Sequence, residues 1–267
     1  MRKLKSFAFA MVSATLITAC SNSADQEIEI SPAQTLYEQS QYYLKDGNYT
    51  KAIDYLNALN TRFSLTAYNK QALLDLMYAY YQSGTEEGYD KVILTTEKFL
   101  NKYPPNDYVY YISGLTNMAQ NNNFAQDLFH IDPANRDSHR MEVAFYNFKS
   151  LVEHFPNSPY TPDVLQRMAY IKAMLARHEL NVAEFYAKRH AYVAVSNRIV
   201  EMLKKYPDTE ATFEALPLLK KSYEKMGLTK LANKTALLIE ANKNKKPTPV
   251  EKPGEPQSYI PPVDKNI

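Results

Sequence analysis

From Ser31 onward the apolar residues of this chain recur at spacings of three and four, and nowhere do they alternate over the length that a strand requires. That period predicts helices, and the local punctuation predicts their ends. Ser31, with Pro32 at the first helical position and Gln34 three residues after the cap, marks a start. A first helix is expected from Pro32 to Asp46, ended by Gly47, and a second from Tyr49 to Phe63. Thr161-Pro162-Asp163 and Asp208-Thr209-Glu210 read as two further starts.

An aromatic followed by proline closes the helical phrase at Tyr103-Pro104, Phe155-Pro156 and Tyr206-Pro207, and Phe63-Ser64 is a fourth copy without its proline. Proline cannot continue a helix, and the aromatic before it can pack back between neighbouring hairpins. Ala52 and Ala144 fall where two helices of a hairpin would touch, a contact that larger side chains would force apart. Paired helices with small contact residues and a closing proline fit a tetratricopeptide-like repeat of roughly 34 residues. The closing motifs lie about 40, 52 and 51 residues apart, so the array must carry insertions, one of them at 121–138. The expected fold is all-α, a superhelix of about five tetratricopeptide-like hairpins spanning 32–64, 66–104, 107–156, 161–207 and 209–242.

Composition narrows this further. The 267 residues include only six glycines against 22 tyrosines and no tryptophan. Sheet turns, phosphate-binding loops and dinucleotide folds all consume glycine, so its scarcity agrees with helices on short connections. Six prolines crowd the last 21 residues, and the segment 243–267, rich in proline and lysine, is expected to be disordered because it cannot bury enough apolar surface.

The N-terminus carries its own signal. Arg2, Lys3 and Lys5 precede an apolar stretch from Phe7 to Ile17, then Ala19 and Cys20, the single cysteine. Basic, apolar and small segments in that order make a signal peptide over 1–19, and a cysteine at the boundary supplies the thiol that lipidation requires. Residues 20–31 become a linker starting at lipidated Cys20. Ser21, rather than aspartate, after the cysteine points to the outer membrane, inner leaflet, facing the periplasm. Loss of 1–19 leaves 28 basic against 29 acidic residues, a net charge of about −1. Such balance offers no electrostatic case for nucleic acid.

No catalytic motif stands out. His130, His139, His154, His178 and His190 lack metal-ligand spacing, and Glu179 and Glu184 read as solvated charges. No nucleophile has a base beside it, and no metal, nucleotide or organic cofactor is expected. An aromatic groove is the better candidate. Aligning Ala52 on the small position of the repeat places Tyr37, Gln41 and Lys45 on the concave face, and the same offset places Tyr68, Gln71, Asp75 and Tyr78 beside them. Tyrosine suits a peptide groove because it joins apolar area to a hydroxyl. Equally, any of these tyrosines could pack between hairpins.

Several runs resemble the BamD family, lipoprotein subunits of the outer-membrane β-barrel assembly machine. They include Leu44-Lys45-Asp46-Gly47-Asn48-Tyr49, Gly114-Leu115-Thr116-Asn117-Met118-Ala119 and Tyr206-Pro207-Asp208-Thr209. The resemblance covers about 31–242 and implies a non-enzymatic scaffold. Its implied partners are the periplasmic domains of a β-barrel insertase, other lipoproteins of that complex and unfolded outer-membrane protein substrates. It also implies an insertase interface at Asn197 and Arg198, and a substrate groove at the N-terminal repeats that takes in Arg62 and Phe63. Two departures are visible: the missing proline after Phe63 and the long tail. Two alternatives remain open, a repeat lipoprotein organising cell-wall synthesis or division enzymes and a muralytic enzyme on a helical array.

Overall fold

Helix punctuation translates into ten α-helices and no strand among the described residues of the computed structural model, which are 28, 31–121, 138–245, 247, 250–254, 256 and 261. In chain order they are α1 (Ala33–Lys45), α2 (Tyr49–Arg62), α3 (Tyr68–Gln82), α4 (Glu86–Leu100) and α5 (Asp107–Asn121), followed by α6 (His139–His154), α7 (Thr161–Lys188), α8 (Tyr192–Lys205), α9 (Glu210–Lys225) and α10 (Thr229–Asn242). They pair as the five expected hairpins. Each helix packs on the next, and first helices also sit side by side, α1 on α3, α3 on α5 and α7 on α9. A repeat superhelix of tetratricopeptide type results, with first helices in one layer and second helices in the other.

Three of the four hairpin ends follow the aromatic signal more closely than the proline, while α4 stops at Leu100 with Asn101 as its cap, before Tyr103. Phe63, Phe155 and Tyr206 cap α2, α6 and α8 in one shared conformation, φ −124 to −134° and ψ 39 to 58°, each donating its N–H to the carbonyl four residues back. Phe63 adopts it with no proline behind it, so the aromatic anchor is sufficient. Thr209 flanks α9 as expected, but its hydroxyl bonds back to Tyr206 O (3.1 Å) instead of capping the helix. The start at Ser31 differs. The first helix begins at Ala33 with Pro32 before it, and Gln34 reaches forward to Glu38 (2.9 Å), so the reciprocal cap does not form.

Three clusters of buried side chains run along the array. Tyr81 and Tyr160 pack against both the first and the second, and Tyr206 against both the second and the third. α7, 28 residues long, gives Val164 to Leu175 to the second cluster and Ala176 to Ala183 to the third. Its length absorbs the wide spacing of the closing motifs. Ala52 and Ala144 are fully buried at helix contacts. The insertion at 121–138 lies almost entirely outside the described residues, as does His130.

Several described residues of the segment 243–267 lie against the array. Lys245 and Pro247 lie beside α8 and α9, Val250 beside α7, and residues 252–254 and 256 beside α3, α4 and α5. Prolines build no core of their own, yet they can lie on a surface already formed.

Gly114 on α5 leaves no room for a side chain against α6, since an added Cβ would lie 2.3 Å from Phe148 Cε1. Phe148 is fully buried and cannot swing away. Gly114→Ala should therefore destabilise the fold by about 1–3 kcal/mol, read as a lower urea midpoint, and Gly114→Ala with Phe148→Leu should recover part of the loss. An unchanged midpoint for the single variant would show slack between α5 and α6.

Candidate functional site

Side chains from α1 and α3 converge on one buried carboxylate. Asp75 is 2% exposed and accepts from Gln41 Nε2 at 2.6 Å and Gln71 Nε2 at 2.9 Å. The spacing explains the grouping: Tyr37 and Gln41 share a face of α1, Gln71, Asp75 and Tyr78 share a face of α3, and α1 packs on α3. Tyr37 of α1 and Tyr68 of α3 pair with ring centroids 5.2 Å apart. Burial pushes the Asp75 carboxyl up to about 7, against the pull of its two amide donors. Burial, then Asp75 and Tyr68, raise the Tyr37 hydroxyl as well.

The layers within this site separate the expected groove residues. Tyr37, Gln41 and Tyr68 are half-buried at the surface of the first-helix layer, while Lys45 is exposed in the last turn of α1. Gln71, Asp75 and Tyr78 lie beneath them in the core, so they support the groove and do not line it. Tyr78 is raised to about 12 by burial and by its hydrogen bond with Tyr49. The packing alternative holds for this tyrosine.

Arg62 and Phe63 sit apart from that cluster. The Arg62 guanidinium lies over the Phe63 ring (4.9 Å) and donates to Ile28 O (2.6 Å) and Ser31 O (3.1 Å), clamping the segment that leads into α1. The structure thus gives them an anchoring role at the first hairpin. Sequence reasoning missed Tyr108, fully buried near Asp75, whose hydroxyl has no hydrogen-bond partner among the described residues. Nothing in the local pattern around Asp107-Tyr108 distinguishes it from an ordinary core tyrosine.

Asn197 and Arg198 occupy α8 at the other end of the array. Arg198 Nη1 bridges both carboxylate oxygens of Glu179 on α7, at 3.1 and 2.9 Å, so Glu179 is an ion-pair partner and not a merely solvated charge. The side chains are 44% and 23% exposed, which keeps the pair weak. Both residues edge a cleft of about 350 Å³ with Tyr186, Asn197, Met202 and Tyr206. Cys20 lies outside the described residues. No group of three or more potential metal ligands occurs among the described residues.

Raising the Asp75 carboxyl above its unfolded value means that the folded state holds a proton the unfolded chain has released. Its contribution is present below pH about 4 and is lost as pH rises to about 7. The wild type should therefore lose stability relative to Asp75→Asn across that interval, by at most about 1.4 kcal/mol for every pH unit crossed. Urea unfolding of both proteins at pH 5 and pH 8 measures it, and a constant difference would show that Asp75 does not titrate there.

A family model described as YfiO, outer membrane lipoprotein, matches residues 30–238. The outer membrane protein assembly factor BamD of Pasteurella multocida is 52% identical over 263 residues, covering 97% of this chain and 99% of that protein. BamD of Haemophilus influenzae is 50% identical over 266 residues, covering 98% of this chain and all of that protein. BamD of Vibrio cholerae is 39% identical over 235 residues, covering 87% and 96%. Similarity of this extent runs through every hairpin of the array, and the chain belongs to the YfiO family of outer membrane lipoproteins.

Proposed function

We propose that this chain is a non-enzymatic assembly factor for outer-membrane β-barrel proteins. The near full-length identity to relatives named as such factors carries the reading. Cleavage after Ala19 leaves Cys20 to hold lipid, which anchors the array to the inner leaflet of the outer membrane on the periplasmic side. One acyl chain binds a bilayer only marginally, so stable attachment uses more than one. The α8 surface at Asn197 and Arg198 docks the periplasmic domains of the barrel insertase. At the opposite end, Tyr37, Gln41 and Tyr68 receive an extended segment of unfolded barrel substrate, held in register by the buried Gln41–Asp75–Gln71 network. Other lipoproteins of the same complex join this scaffold.

Physical features support the division of labour. Arg198 uses only Nη1 on Glu179, and its remaining nitrogens are without partners among the described residues. A guanidinium in that state can accept a second carboxylate from an insertase domain. The paired tyrosine rings and the half-buried Gln41 amide offer apolar area and a polar contact for an extended peptide.

Affinity purification of the tagged protein from solubilised outer membranes should bring down a barrel insertase at near-equal abundance. Cell-wall synthases without an insertase would overturn the reading. Arg198→Glu should weaken insertase binding roughly tenfold or more, about 1.4 kcal/mol, with little change in thermal unfolding. A charge swap, Arg198→Glu with Glu179→Arg, separates two roles, because it restores the internal pair but not the docking charge. Binding rescued by the swap would confine Arg198 to an internal role. Cys20→Ser should abolish membrane attachment, and normal fractionation of that variant would rule out lipidation at this residue.

A further inference from the structure

Along the first-helix layer the described residues of the tail lie against the hairpins in reverse order. Lys245 and Pro247 lie by Leu203 and Phe213, Val250 by Ala169 and Ala173, and Pro253 and Pro256 by Tyr81, Tyr89 and Met118. Its far end meets a built site. Arg167 on α7, its side chain 6% exposed, chelates Asp163 through Nε (2.6 Å) and Nη2 (3.1 Å) and gives a further Nη2 hydrogen bond to Gly254 O (3.1 Å). A guanidinium this deep needs acceptors for its donors, and the tail's main chain supplies one.

The segment has the chemistry of a ligand. Pro253 and Pro256 are three residues apart, one turn of a polyproline helix, and both are half-buried, while Glu251 and Lys252 face solvent. Such a segment forms few hydrogen bonds of its own and binds through ring packing on aromatic walls and through its carbonyls. Tyr81 and Tyr89 with Met118 and Leu115 provide the walls, and Arg167 provides the donor.

We propose that this face is a docking track for an extended, proline-bearing peptide, and that the chain's own C-terminal segment is its resident occupant. An external peptide of the same chemistry then binds only by displacing the tail. The end of the track at Arg167 lies among α3, α4, α5 and α7, and no tail residue lines the Asn197 and Arg198 cleft, so its test involves neither an insertase nor a barrel substrate. It therefore stands or falls separately from the assembly role.

The test uses the full mature chain with two tail variants. A photo-crosslinking p-benzoylphenylalanine in place of Pro253 should link to α4 near Tyr89 and to α5 near Met118, and an excess of a synthetic peptide of residues 247–261 should suppress those links. Cross-links scattered over the surface, or indifferent to the peptide, would overturn the proposal. The same peptide, fluorescently labelled, should bind the Pro253→Ser, Pro256→Ser chain at least fivefold more tightly than the wild type, because the resident segment is weakened while the track is intact. Equal binding to both chains, or binding to neither, would equally overturn it.

Discussion

The stacking of Tyr111 on Tyr160, with ring centroids 4.5 Å apart and planes 7° from parallel, holds the two halves of the array together. Elsewhere first helices lie directly side by side, but α5 and α7 are joined through α6, which packs on both, and through side chains between them. Tyr111 Oη donates to Asp163 at 2.6 Å, Asp163 holds Arg167, and Ser158 Oγ donates to Asp107 at 2.8 Å across the same joint. Tyr160 touches the cores on both sides. A repeat array is stable because each hairpin buries its faces on its neighbours, and a weak joint in the middle would divide it into two marginal pieces. Polar groups here are satisfied by one another, which makes the joint directional as well as adhesive.

Placing Arg167 in this joint ties the tail to the same network. The residue that completes the α5–α7 junction is also the one that holds Gly254. Displacement of the tail would leave one donor of a nearly buried guanidinium to be met by another acceptor. The tail's track and the joint therefore share a charge, and occupancy of the track bears on the joint through a contact, without any longer pathway.

Much of the fold was legible because tetratricopeptide-like hairpins are punctuated locally. Aromatic caps, small alanines at helix contacts and the three–four spacing each act within a few residues, and five hairpins follow from them. The groove was legible only in part. Tyr37, Gln41, Tyr68, Gln71 and Asp75 do gather, since helix periodicity fixes which residues share a face. Depth was hidden: α3 is buried on nearly all sides by α1, α2, α4 and α5, so Gln71 and Asp75 sit below the surface that a single helical face would suggest. Arg167 escaped notice although Asp163 four residues earlier on α7 is a readable i, i+4 pair. Composition could not show that some residues of a proline-rich segment, unable to build a core alone, lie on a surface made by others.

Arg198 shows how an internal ion pair and an interface can be the same feature. A pair this exposed contributes at most about 1 kcal/mol, so exchanging Glu179 for a partner's carboxylate, or adding one, costs the array little. Had the pair been buried, separating it would leave an uncompensated charge at a cost of several kcal/mol, and the guanidinium would be committed to the fold. Contrast Arg167, whose side chain is 6% exposed and whose acceptors are all within the chain. The two arginines pair with carboxylates on the same helix, α7, yet burial separates their roles. The deep one fixes geometry, and the shallow one stays free to change partners.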